Sequence, residues 1–181
     1  MQKHIWCALA ISATVIVSTP FVRGGARHGG LKPEFQTSDR CVACHNGLTT
    51  KSGEDISIGL DWRPSMMANS SRDPYWQASV RRESADHPES TPAIENECSV
   101  CHMPITHLQA KGDGRKTEIF AHLPFNADNK DNAAAEDGVS CSVCHQIAKE
   151  KLGTPESFNG AFKVDDPEKA DQRSEYGPFE I

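Results

Sequence analysis

The hydrophobic pattern of the chain changes character along its length. An apolar run from Ile5 to Val17 opens it, behind a short basic start at Lys3 and His4. Residues 27–40 are glycine-rich and polar and read as a linker, and residues 46–61 show too little periodicity for anything but a loop. The first clear element follows. Asp73 is placed to cap a helix whose first residue is Pro74 and which Pro88 ends, with Tyr75, Trp76 and Val80 as its inward-facing side chains. A second helix is predicted from Thr91 and Pro92 to about His102, ended by Pro104. Residues 105–130 are mixed, with Gly112 and Gly114 marking a turn. Short helical pieces are expected over Asn132 to Glu136, broken by Gly138, and from Ser140 to about Glu150. From Leu152 onward the chain is acidic and loop-like, and its last residues, "EYGPFEI", look like the start of a strand. The pattern predicts a mainly α fold with extensive loops, and the ending reads as the N-terminal part of a longer protein.

The opening run has the form of an export signal: a positive start, an apolar stretch, then the small residues Gly24 and Ala26. Cleavage is expected after Ala26, making residues 1–26 the signal peptide. The run falls short of the ~20 residues that span a bilayer, which disfavours the alternative of an uncleaved anchor. The expected location of the mature chain is periplasmic or extracellular.

Composition sharpens the picture. Only 37% of the 181 residues are hydrophobic, which is little core material for a domain of this length. The net charge of −6, with both signs interspersed, provides no basic face for nucleic acid. It slightly favours a partner that presents positive charge.

Of the seven cysteines, Cys7 lies inside the signal. The other six form three pairs of identical spacing, each followed at once by histidine: Cys41, Cys44 and His45; Cys98, Cys101 and His102; Cys141, Cys144 and His145. A disulfide framework is the plain reading for an exported chain, but it leaves the histidines unexplained. Zinc needs four ligands per site, so three pairs leave one over. Thioredoxin-like exchange needs one such pair, not three. Covalent haem attachment uses every member. Two thiols one helical turn apart add to the two vinyl groups of a porphyrin, and the adjacent imidazole binds the iron. A single motif can arise by chance; three motifs that consume every mature cysteine point to three c-type haems. Residues 41–181 then form one triheme domain, with the haems standing in for the missing core.

Electron transfer usually requires a second axial ligand on each iron, from His or Met. His87, in "ADHPE", and His122, in "FAHLP", rank first. His107 is a weaker candidate, His28 lies in the linker, and Met103 adjoins His102. Met66 and Met67 are candidates too, with ordinary core packing as the alternative.

The three motifs make the chain resemble multihaem c-type cytochromes. The stretch "CHNGLTTKSGEDISIGLDWRPSMMA" is similar to a pattern of the cytochrome c-554 group, which is related to multihaem nitrite and hydroxylamine oxidoreductases. That group carries a Trp, then a Ser, then a ligand His two residues on. Trp62 and Ser65 match, and Met67 stands in the place of the His. The resemblance implies that Met67 ligates iron through its thioether, or that this iron lacks a distal protein ligand.

The expected function is electron transfer, with other redox proteins as partners, including those of a membrane-associated electron-transfer chain. The rival reading is the electron-carrying or catalytic part of a multihaem oxidoreductase. It would keep one iron open to a small nitrogen or sulfur compound, with Arg81, Arg82, Asp86 and His107 as candidate acid–base groups. A third is a structural module of an extracellular cytochrome assembly.

Overall fold

In the computed structural model of the chain, local sequence signals account for most of the helix boundaries. The structure describes residues 35–125, 132–164 and 174–177, all within a unit spanning residues 31–181. The expected signal peptide, His28 and the last residues of the chain lie outside the described residues. The helices are α1 (Ser38–Val42), α2 (Ile58–Trp62), α3 (Pro74–Asp86), α4 (Thr91–His102), α5 (Pro104–Gly112), α6 (Ile119–His122), α7 (Ala133–Glu136) and α8 (Cys141–His145). Single 3-10 turns cover Pro88–Ser90 and Pro155–Ser157. Strand structure among the described residues is confined to two isolated antiparallel bridges, Thr49 with Asp55 and Ile147 with Val164. The fold is mainly helical, as the pattern predicts.

Helix α3 starts where Asp73 accepts a hydrogen bond from the Tyr75 amide at 2.9 Å and Pro74 supplies the preset φ of a first turn. Its buried stripe is Trp76, Val80 and Ser84, spaced by four. Tyr75 corrects the expectation made for it: it is 80% exposed, because it stands one residue, about 100° round the helix, from that stripe. Helix α4 ends at Met103, whose φ of −136° breaks the helix before Pro104. Pro104 also serves as the first residue of α5, so one proline both stops and starts a helix. The mixed pattern of residues 105–130 hid α5 and α6. The expected helix from Ser140 to Glu150 stops at His145, where the chain turns into the Ile147–Val164 bridge. Residues 46–61, read as loop, carry one bridge and the start of α2.

Helix α4 is the centre of the packing, against α3, α5 and α6, while α5 meets α7 and α1 meets α8. One apolar cluster joins Trp76, Val80, Met103, Ile119 and Ala135, and a second joins Phe35, Ile105 and Val143. Both are small. Ile56, Ile58, Leu60, Met66 and Met67 are each about half exposed or more, so apolar surface along residues 56–67 is left uncovered by protein. Among the described residues no helix is long and apolar enough to cross a membrane.

Candidate functional site

Each motif sits on a helical turn, which sets its chemistry. At the first, the Cys44 and His45 amides both return to the Cys41 carbonyl, at 3.1 and 2.9 Å. The second forms the last turn of α4, and the third is α8 itself. Residues three and four apart share a helix face, so both thiols and the imidazole of each motif emerge on the same side. The thiols follow one pattern throughout. Cys41, Cys98 and Cys141 are half-buried, Cys44, Cys101 and Cys144 are exposed, and all six are free. Among the described residues no three His, Cys, Asp or Glu side chains converge as a bare metal ion requires.

Packing brings the first and third motifs together. The Ser38 amide and hydroxyl, at the start of α1, both donate to Asp137 Oδ2 at 2.9 Å. The Cys141 amide donates to Ser38 Oγ at 3.2 Å, and the Ser142 hydroxyl to the Gln36 carbonyl at 2.6 Å. These bonds seat α8 beside α1. Burial first, then the neighbouring Cys141, pushes the Cys41 thiol up to about 11. Burial likewise raises Cys98 and Cys144.

Three cavities surround this pair. One, of about 330 Å³, is lined by Cys41, Cys44 and His45 together with Cys141, His145 and Glu175. A second, of about 340 Å³, lies between Val42, Trp62 and Met67 on one side and Cys141, Cys144 and His145 on the other. The third, of about 360 Å³, lies beside Cys144, His145, Tyr176 and Gly177. Ser65 joins Trp62 and Met67 in the wall of the second cavity. The three residues that carry the family resemblance therefore face the third motif rather than the one they follow in sequence. Met67 is 54% exposed and Met66 75%, so neither packs in the core, whereas Met103 is fully buried there.

The histidines fall into two groups. His102 Nδ1 lies 2.7 Å from the Ser70 carbonyl, and His145 Nδ1 lies 2.6 Å from the Tyr176 carbonyl. A carbonyl only accepts, so each imidazole donates from Nδ1, and in the neutral ring the lone pair lies on Nε2. His107 is held alike. The Ser99 hydroxyl donates to the Asn96 carbonyl at 2.6 Å, leaving its oxygen to accept from His107 Nδ1 at 3.1 Å. Burial, and then the nearby Lys111, lowers the pKa of His107, which disfavours its charged form. His122 Nδ1 lies 3.1 Å from Asn132 Oδ1, while the Asn132 amide donates to the His122 carbonyl at 3.0 Å. His45, His87 and His145 are exposed, His87 as the residue that ends α3. Of the acid–base candidates, Arg82 and Asp86 pair with each other at 2.6 Å on the exposed face of α3. Arg81 lies over the Phe120 ring at 5.3 Å.

The partners of these histidines were not foreseeable from sequence. Ser70 and Tyr176 act through backbone carbonyls, which carry no residue signature. Ser99 and Asn132 are unremarked polar residues until the fold buries them beside an imidazole. Comparison of the chain with protein families, with characterised proteins and with solved structures finds no match.

Proposed function

We propose that the chain is an exported electron-transfer protein carrying three covalently attached haems c, of the multihaem cytochrome type that its motifs resemble. The observation that carries the reading is the tautomer of His102 and His145. In each, a backbone carbonyl takes the Nδ1 proton and leaves Nε2 as a fixed, basic donor, the arrangement of a metal-ligating histidine with an outer-shell partner.

Other features fit the group. Cys41 and Cys44, Cys98 and Cys101, and Cys141 and Cys144 are free thiols one turn apart, suited to thioether attachment. The indole Nε1 of Trp76, next to His102, is buried without a hydrogen-bond partner among the described residues and could donate to a porphyrin carboxylate. Ile58, half exposed, lines the cavity of Cys41, Cys44 and His45, where a porphyrin face would cover it. His45, His102 and His145 are the proximal ligands in this reading. His107 and His122, with Nδ1 already occupied, are the better distal ligands. His87, exposed at a helix end, ranks behind them, which revises the order read from sequence. Met67 is assigned to the iron of the third motif, whose cavity it lines.

Haem, when bound, supplies a one-electron ferric–ferrous couple. The chain would hold each ring by two bonds, and the Ser70 and Tyr176 carbonyls orient the imidazoles of His102 and His145. Its location is periplasmic or extracellular, and its partners are other redox proteins that meet its acidic surface. The optical and EPR spectra of the holoprotein test the carrier reading against the oxidoreductase reading. Low-spin iron unaltered by cyanide, nitrite or carbon monoxide is expected. A high-spin component that shifts with any of these ligands favours an open catalytic site instead.

A further inference from the structure

The three motif histidines are held in different ways. His45 is exposed, His145 is held by the Tyr176 backbone, and His102 lies between a carbonyl and an indole. The Trp76 and His102 rings are parallel within 4°, with centroids 4.2 Å apart. Trp76 reaches that position because it belongs to the buried stripe by which α3 packs on α4. It is only 7% exposed. On the imidazole edge, Nδ1 is fixed to the Ser70 carbonyl at 2.7 Å. The Ser70 hydroxyl in turn donates to the His102 carbonyl at 3.3 Å, closing a ring of contacts around the residue. Rotation of the imidazole about its Cβ–Cγ bond would break the hydrogen bond and drive the ring edge into the indole.

We infer that Trp76 is a positioning residue for His102: it fixes the plane of the imidazole that ligates the iron held at Cys98 and Cys101, and shields that side from water. The inference rests on the haem reading above and adds a property of one iron among three. Two consequences follow from general chemistry. The orientation of an axial imidazole sets the splitting of the ferric d orbitals and so the g values of that iron. Exclusion of water disfavours the more highly charged ferric state and raises the potential. Among the described residues nothing gives exposed His45 an equivalent constraint, so the first and second irons should differ on both counts.

The test uses wild-type, Trp76→Phe, Trp76→Met and Trp76→Leu holoproteins, each checked by mass for its haem content and compared by EPR and redox titration. Trp76→Phe keeps a flat face and should retain the wild-type g values. Trp76→Met fills the space without a plane, so it removes the stack even if Trp76→Leu does not fold. In Trp76→Met, and in Trp76→Leu where it folds, one low-spin signal should shift and broaden. One reduction equilibrium should fall tenfold, about 59 mV for a one-electron couple. Three haems with unchanged g values and potentials in Trp76→Met overturn the inference alone. A wild-type protein without haem overturns the haem reading and the inference with it.

Discussion

His145 and Tyr176 exchange two hydrogen bonds. The imidazole Nδ1–H donates to the Tyr176 carbonyl at 2.6 Å, and the Tyr176 amide donates to the His145 carbonyl at 2.6 Å. The Gln146 amide side chain reinforces the contact by donating to Glu175 Oε1 at 2.6 Å. The short segment of residues 174–177 thus straps the third motif, and the orientation of the His145 ring depends on backbone 31 positions away.

That strap can be weakened one bond at a time. Tyr176→Pro deletes the amide donor, whereas Tyr176→Ala leaves both backbone bonds in place. The proline variant of the holoprotein should be less stable than the alanine variant by about 1 kcal/mol, the net worth of one hydrogen bond, in guanidinium titrations. Equal midpoints for the two variants would show that the strap contributes nothing.

Gly138 couples the third motif to Met67. Its φ is +66°, and a Cβ there would lie 2.6 Å from the Met67 carbonyl oxygen and 2.9 Å from that of Ala68, both backbone atoms that cannot swing aside. The Val139 amide bonds to the same Met67 carbonyl at 3.0 Å. Gly138→Ala should therefore cost about 2 kcal/mol or more and disturb the cavity that Met67 lines. Gly47 is the control: its φ is +68° with open space around it, so Gly47→Ala should cost only the backbone strain, about 1 kcal/mol. Thermal melting of the two variants makes the comparison.

Asp137 yields a pH dependence with a definite sign. Burial raises its pKa above 3.8, opposed in part by the two hydrogen bonds from Ser38. Between 3.8 and the raised value the native state keeps a proton that the unfolded state has released. Rising pH therefore favours unfolding across that window, and the full penalty remains above it. Asp137→Asn, which still accepts from Ser38, should match the wild type at low pH and become progressively more stable than it as pH rises through the window. Denaturant titrations of both proteins across that range measure the gap. A gap that shrinks with rising pH contradicts the assignment.

The placement of Met67 makes a prediction that distinguishes one haem from another. Thioether ligation of ferric haem produces a weak red absorption band, which should be present in the holoprotein and absent from Met67→Ala. Removing the third attachment site, with Cys141→Ala and Cys144→Ala together, should also abolish it. Removing the first, with Cys41→Ala and Cys44→Ala, should leave it in place. Loss of the band with the first site and survival without the third would return Met67 to the motif it follows in sequence.

The sequence was informative wherever a local rule decides the structure. Asp73 with Pro74, and the prolines at 88 and 104, act through backbone geometry that any neighbourhood respects, so α3 and α4 were readable to the residue at most of their ends. The three CxxCH motifs were readable because their spacing repeats without change. Helix α5 was obscured because Pro104 was read only as a terminator, though it equally serves as a first helical residue. Tyr75 was expected to face inward, and its angular position on α3 overruled that. The neighbourhood of the motifs lay beyond sequence reasoning. Ser38 joins α1 to α8 through the Cys141 amide, 103 residues away, and no local pattern encodes such a contact.

The account depends most on covalent haem, and the intact mass of the protein tests it most directly. Produced in a host that matures c-type cytochromes, the purified chain should be red and carry the mass of three haems beyond its amino acids. It should lose one haem with each pair of cysteines replaced by alanine. A colourless protein whose mass equals that of its polypeptide would contradict the account at its root.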